Sequence, residues 1–302
     1  MQQNYDYSWS SFRMSLGYSI PLMIILTGHE MGHYVMARLY GVSVSLPYFI
    51  PLPFISPFGT MGAFIRMHQM PPDRRSLFDI GFWGPAMSFL LSLPFLIIGI
   101  SLSHVQPIPH YFTGLIYGDS LLIKLVNSIF HDIPPGHDIV AHPMALAAWT
   151  GLFVTALNLL PIGQLDGGHI SYALLGRRQK EVSYMALLIL FLLSLYFSGW
   201  FFLGLILIFM GLRHPPLPAE FFTGIIPLDT RRLKLAWFSF LMLVLCFVPV
   251  PIQQYHLNLP QLEPYQESPH YEPEDEAEDP LPMEDDEYHI KNFPKPCEPC
   301  GA

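Results

Sequence analysis

Residues 14–37 read MSLGYSIPLMIILTGHEMGHYVMA, and this stretch decides the fold. At about 1.5 Å per residue, a helix of this length reaches roughly 36 Å. A bilayer's hydrocarbon core is ~30 Å thick and is crossed by about 20 mostly apolar residues. The stretch therefore predicts a membrane span. Its last third carries His29, Glu30 and His33. Ionisable groups are costly in hydrocarbon and mark functional sites there. No small-residue cleavage site follows the apolar run, so the helix is read as retained and not as a signal peptide.

The composition extends this reading to the whole chain. Of 302 residues, 51% are apolar, 14% aromatic and 13% charged, against about 25% charged in soluble proteins. Mean hydropathy is +0.36. Chains poor in apolar residues are disordered, so this one is not, for most of its length. Three cysteines exclude a disulfide-stapled scaffold. The net charge of −9 is a tail property, because residues 261–302 hold 13 acids against 2 lysines. The remainder is near neutral and offers no basic surface, so no nucleic-acid partner is expected.

Candidate spans cover residues 14–37, 80–102, 144–165, 182–198, 199–212 and 235–250. The fourth and fifth could be one helix, but Ser198-Gly199 offers a turn and the basic residues favour two. With six spans, Arg38, Arg66, Arg74, Arg75, Arg177, Arg178, Lys180, Arg213, Arg231, Arg232 and Lys234 share one side. Arg13, Lys124, Lys291 and Lys295 fall on the other. Basic residues concentrate on the cytoplasmic face, which puts both termini outside the cytoplasm. The expected fold is an all-α polytopic membrane protein with about six transmembrane helices and a membrane-associated β-hairpin.

That hairpin is expected over residues 42–66. Pro47, Pro51, Pro53 and Pro57 forbid a continuous helix, and the ends, near 42–46 and 62–66, alternate like strands. The plainer alternative is a cytoplasmic loop. Residues 104–142 form an extracytoplasmic loop, with 115–130 suited to an interfacial helix. The histidines of that loop suit metal binding or pH sensing less well than plain surface positions. The membrane domain is expected to span 1–252, with its core at 14–176. The acidic, proline-rich tail, 253–302, is expected to be disordered, and its Cys297 and Cys300 lack a second pair to complete a metal site.

The chemistry centres on Gly28-His29-Glu30-Met31-Gly32-His33. Residues four apart share a helix face, so both imidazoles can hold one cation. Glu30, beside the first ligand, can act as general base toward water activated at the metal. Composition alone gives about 0.02 chance matches to H-E-x-x-H, the metallopeptidase pattern. A catalytic zinc keeps three protein ligands and an open position. The third ligand is expected at the same depth in another span. Asn158-Leu-Leu-Pro161-Ile-Gly163-Gln164-Leu-Asp166 closes the third span, and Asp166 is its one acid. The plainer reading of Asp166 is an acid at the membrane boundary before a glycine turn.

These residues resemble the site-2 protease family of intramembrane zinc metalloproteases, peptidase family M50. The resemblance rests on His29-Glu30-x-x-His33, on Asn158-x-x-Pro161 with Leu165-Asp166-Gly167, on Gly59 to Ile65, and on Gly84-Pro85. It implies that His29, His33 and Asp166 hold one zinc and that Glu30 is the catalytic base. Asn158, Gly59 and Gly62 are implied in substrate binding. Many members insert a PDZ domain outside the membrane, and here the corresponding loop is short. The implied reaction is hydrolysis of a peptide bond in or next to a transmembrane segment of a membrane-protein substrate. A metal transporter and a catalytically silent binding protein of the same fold are the rival readings. The expected location is a prokaryotic plasma membrane, with the active site toward the cytoplasm.

Overall fold

The computed structural model describes residues 9–51, 60–108, 111–212, 214, 217 and 228–258. The chain divides at Leu259/Pro260, and every described residue lies in the first unit. Helices α1 (Trp9–Leu39) and α2 (Arg74–Ser101) pack along each other, and α4 (Pro143–Asn158) packs on both. Short helices α5 (Asp166–Leu175), α6 (Gln179–Leu193), α7 (Gly199–Met210) and α8 (Thr230–Cys246) come after it in the chain. Helix α3 (Leu121–Phe130) rests on α2 and α8. One core cluster, including Phe78, Leu96, Leu152, Ile162, Trp200 and Met242, joins these elements.

Helix α2 is the hub, and its sequence explains why. Asp73 and Ser76 cap its N-terminus reciprocally: Ser76 N–H donates to Asp73 Oδ1 at 2.8 Å and Asp73 N–H to Ser76 Oγ at 3.2 Å. Gly32 of α1 faces the backbone of Trp83 and Gly84, where a Cβ would collide. Two helix backbones can approach so closely only across small residues.

Among the described residues, three two-stranded antiparallel sheets complete the architecture. Strands β1 (Tyr48–Pro51) and β2 (Thr60–Phe64) pair with Tyr48 opposite Phe64, extended by a Val44–Met67 bridge. The expected hairpin is therefore present, with its first strand a few residues later than the alternation suggested. Strands β3 (His104–Pro107) and β5 (His137–Val140) pair, as do β4 (Tyr111–Tyr117) and β6 (Ile252–Asn258).

Three expectations need correction, and one, the six spans, is met only in part. Among the described residues, α2 is the helix long and apolar enough to cross a bilayer, with mean hydropathy 1.8. Helix α1 has the length, 31 residues, but its ionisable turn lowers its hydropathy. Helices α4, α6, α7 and α8 run from 12 to 17 residues, about 18–26 Å, so helix length alone does not establish six crossings. The third span stops at Asn158, because Pro161 has no N–H to continue the ladder. Leu115–Tyr117 belong to β4, not to a helix running from 115, and α3 starts only where Ser120 caps it. Finally, Ile252–Asn258, at the head of the stretch expected to be disordered, is a strand laid on β4. This segment precedes the acidic run and alternates, so it can complete a ladder that the acidic residues could not. The tail beyond it lies outside the described residues.

Candidate metal centre

One turn of α1 places His29 and His33 on the same face, with ring centroids 4.8 Å apart. Both are buried, at 4% and 7% exposure. Across from them, α4 has ended and the chain turns through Leu159–Leu165. Gly163 takes a positive φ of 54° in that turn. Gly167 and Gly168 lie against the carbonyls of Leu159, Leu160, Ile162 and Gly163, where any Cβ would collide. The turn therefore folds tightly back onto the start of α5 and sets Asp166 in its first turn, where the helix dipole favours an acid. Asp166 is thus not the end of the third span but the start of a new helix.

Asp166 Oδ2 lies 3.2 Å from His29 Nε2 and 3.4 Å from His33 Nε2, and the two Nε2 atoms are 3.1 Å apart. One ligand atom from each of the three residues falls within 4.8 Å of the others. His33 Nδ1 sits 2.7 Å from the Ile80 carbonyl oxygen. A carbonyl only accepts, so Nδ1 carries the proton and, in the neutral ring, Nε2 presents its lone pair. Two imidazole nitrogens and a carboxylate facing one point repel one another unless a cation sits among them. This donor set, two nitrogens and one oxygen, suits zinc.

Glu30 is buried one residue from the first histidine, at 7% exposure. The backbone N–H of Ile65, just after β2, faces its carboxylate. Asn158, the last residue of α4, sets its amide nitrogen 3.2 Å from His29 Nε2. Gly62 lies in β2 opposite Ile50, with φ 105°, whereas Gly59 lies outside the described residues. The structure thus brings together His29, Glu30, His33, Asp166 and Asn158, and it sets β2 beside Glu30.

The sequence reading missed Ser88, which adjoins His29, and Thr155, which adjoins Ser88. Their one sequence signal is position: Thr155 lies three residues before Asn158, hence on the same helix face. His169, one turn beyond Asp166, is absent from the three-residue cluster. Its ring packs edge-on against His214 at 5.0 Å, and its buried Nδ1 has no hydrogen-bond partner among the described residues.

The sequence profile of peptidase family M50 matches residues 17–197. The chain belongs to peptidase family M50. Among curated relatives, it is 31% identical over 197 residues to the probable zinc metalloprotease EGY2, chloroplastic, of Oryza sativa subsp. indica, covering 64% of this chain and 35% of that protein. It is 32% identical over 158 residues to the probable zinc metalloprotease EGY1, chloroplastic, of Arabidopsis thaliana, covering 51% and 28%. EGY3 of Oryza sativa subsp. indica, also named a probable zinc metalloprotease, is 29% identical over 177 residues, covering 52% and 29%. The chain thus spans about a third of the length of the curated relatives it matches. No solved structure matches. The M50 match covers α1 through α6, and so includes all five residues gathered at the candidate centre.

Proposed function

We propose that this M50 chain is a zinc metalloprotease that hydrolyses a peptide bond in or next to a transmembrane segment of a membrane-protein substrate. The convergence of His29, His33 and Asp166, with Glu30 buried on the same turn of α1, carries this reading. The family membership and the relatives' names support it. A zinc ion held by the three residues supplies a Lewis acid for the scissile carbonyl and makes water acidic enough to lose a proton near neutral pH. Glu30 accepts that proton as general base and returns it to the departing amine nitrogen as the C–N bond breaks. The water oxygen ends on the acyl carbon. Asn158 is set to hold the substrate peptide beside His29, and β2, with Gly62, offers an edge on which a locally unwound segment can pair.

We further assign six crossings, by α1, α2, α4, α6, α7 and α8, with irregular flanks completing the short ones. The β4–β6 pairing supports the parity. β4 follows α2 and β6 follows α8, so an even number of crossings separates them. Separate α6 and α7 satisfy this, and one merged helix would not. On this reading, with the basic residues on the cytoplasmic side, both termini lie outside the cytoplasm and the site lies in the cytoplasmic half of the membrane. Relatives named chloroplastic lend no support to the prokaryotic plasma membrane.

The test is zinc content of the purified chain and a membrane-proteome comparison between wild type and Glu30→Gln. Uncut substrates should accumulate with Glu30→Gln while its zinc content stays at that of wild type. Indistinguishable proteomes would overturn the protease reading and favour a metal transporter, which does not need a general base.

A further inference from the structure

His29 reaches Ser88 Oγ through Nδ1 at 3.1 Å. Ser88 Oγ in turn lies 2.8 Å from Thr155 Oγ1 and 3.0 Å from the Pro85 carbonyl oxygen. Thr155 Oγ1 lies 2.7 Å from the Gly151 carbonyl oxygen. Ser88 is 2% exposed and Thr155 0%, so these contacts are settled within the protein.

The protons can be assigned by elimination. Each hydroxyl has a single proton and carbonyls only accept. Thr155 donates to Gly151, the carbonyl four residues back on its own helix. Ser88 donates its one proton to the Pro85 carbonyl at 3.0 Å, with Thr155 Oγ1 at 2.8 Å within reach of the same proton. That leaves Ser88 Oγ as an acceptor toward His29, so His29 Nδ1 must be the protonated nitrogen. The Nε2 lone pair then faces Asp166 and His33, as His33's does by way of Ile80.

We infer that Ser88 and Thr155 are positioning residues that fix the tautomer and ring orientation of His29 for metal binding. The inference rests on the zinc reading of this site. The two histidines differ in how they are held: His33 by a backbone carbonyl, which no side-chain substitution removes, and His29 by two hydroxyls on α2 and α4. His29 is accordingly the ligand whose orientation depends on how α2 and α4 pack together. Partners that fix a ligating histidine's second nitrogen are worth about 10–100-fold in metal affinity.

The experiment measures zinc affinity of the full chain in detergent by competition with a chromophoric chelator, alongside the electronic spectrum of the cobalt-substituted protein. Ser88→Ala should lower zinc affinity by about 10–100-fold and alter the cobalt spectrum, with thermal unfolding of the metal-free protein little changed. Thr155→Val should weaken binding less, and Thr155→Ser should restore it. Because Thr155 acts through Ser88, the double variant Ser88→Ala/Thr155→Val should bind zinc as Ser88→Ala does.

Wild-type affinity in Ser88→Ala, or independent additive losses in the double variant, would overturn the inference. If Ser88→Ala does not fold, the Thr155→Val and Thr155→Ser pair decides: equal affinities in the two would overturn it. A wild-type chain that takes up no zinc would instead overturn the reading of the site. Side-chain 15N shifts of the metal-free protein would then still report whether His29 holds its proton on Nδ1, and a proton on Nε2 in the wild type would refute the relay.

Discussion

Gly84→Ala isolates the dependence of the metal centre on helix packing. A Cβ on Gly84 would overlap three ring atoms of His33, Nε2, Cε1 and Cδ2. Withdrawing α2 to make room would forfeit the close packing of Gly32 of α1 on the backbone of Trp83 and Gly84. The imidazole must therefore swing, and it gives up its 2.7 Å bond to the Ile80 carbonyl. A buried donor and acceptor left unpaired cost about 1–3 kcal/mol. Overpacking costs a further ~1–3 kcal/mol. Alanine's helix preference over glycine returns at most about 1 kcal/mol. The net is a loss of about 3 kcal/mol of stability, together with loss of His33 as a ligand. The control is Gly17→Ala in α1, where a Cβ meets only Pro143 Cβ at 3.6 Å, an ordinary contact. That variant should be neutral or gain up to ~1 kcal/mol. Thermal unfolding in detergent, without and with zinc, separates the two effects. Gly84→Ala should unfold earlier than wild type and gain little from added zinc. If it matches Gly17→Ala and binds one zinc, the close packing of α2 on His33 is not what holds the site.

Asp166→Asn should stay folded, bind zinc more weakly and lose proteolysis, because the amide removes the charge that offsets a dication with two neutral imidazoles; metal content after dialysis reads this, and unchanged zinc would move the third ligand elsewhere. Asp79→Ala removes the acceptor of Arg232 Nε at 3.0 Å and of the Tyr40 hydroxyl. Breaking that largely buried pair should cost about 2–3 kcal/mol in chemical denaturation, below the roughly 3–5 of a fully buried pair, and a change under about 0.5 would refute the role. Cysteine placed at Ser198, between α6 and α7, and at Gln253 in β6 should both react with an impermeant thiol reagent from the non-cytoplasmic side, once Cys246, Cys297 and Cys300 are replaced. Labelling of the two from opposite sides would break the six-crossing parity.

The part of the site that was legible in the sequence is local. His29 and His33 are one turn apart, so the helix period alone brings them together, and Asp166 stood out as a lone acid near an apolar run. What Asp166 does to the chain was less legible. Pro161 and Gly163 both weaken a helix, yet the outcome, a new helix starting on Asp166, depends on Gly167 and Gly168 fitting beneath the carbonyls of Leu159–Gly163. That fit is a matter of distances across the turn. Ser88 and Thr155 were illegible for a related reason. A single hydroxyl in an apolar helix can satisfy itself on the carbonyl four residues back, as Thr155 does with Gly151, so it carries no periodic signal. Arg232 was read as one basic residue among many on its side of the membrane. Its meeting with Asp79 and Tyr40 joins three helices or their ends.

The strand Ile252–Asn258 shows most directly why long-range structure escaped the pattern. Taken alone it is a short alternating run after a proline pair, at the margin of an acidic tail. It becomes a strand because β4 presents an unpaired ladder, far earlier in the chain, and an unmet backbone donor or acceptor is expensive. Its place is secured by Trp149, whose indole N–H donates to the Gly118 carbonyl at 2.6 Å, while Gly118 N–H donates to Pro251 at 2.9 Å. Trp200 donates likewise to Pro249 at 2.6 Å. Two indoles, one from α4 and one from α7, thus hold the chain on either side of the α8 exit. The helix that carries Asn158 and Thr155 is therefore tied at its other end to the last strand of the domain, and loosening that strand should be felt at His29 through Thr155 and Ser88.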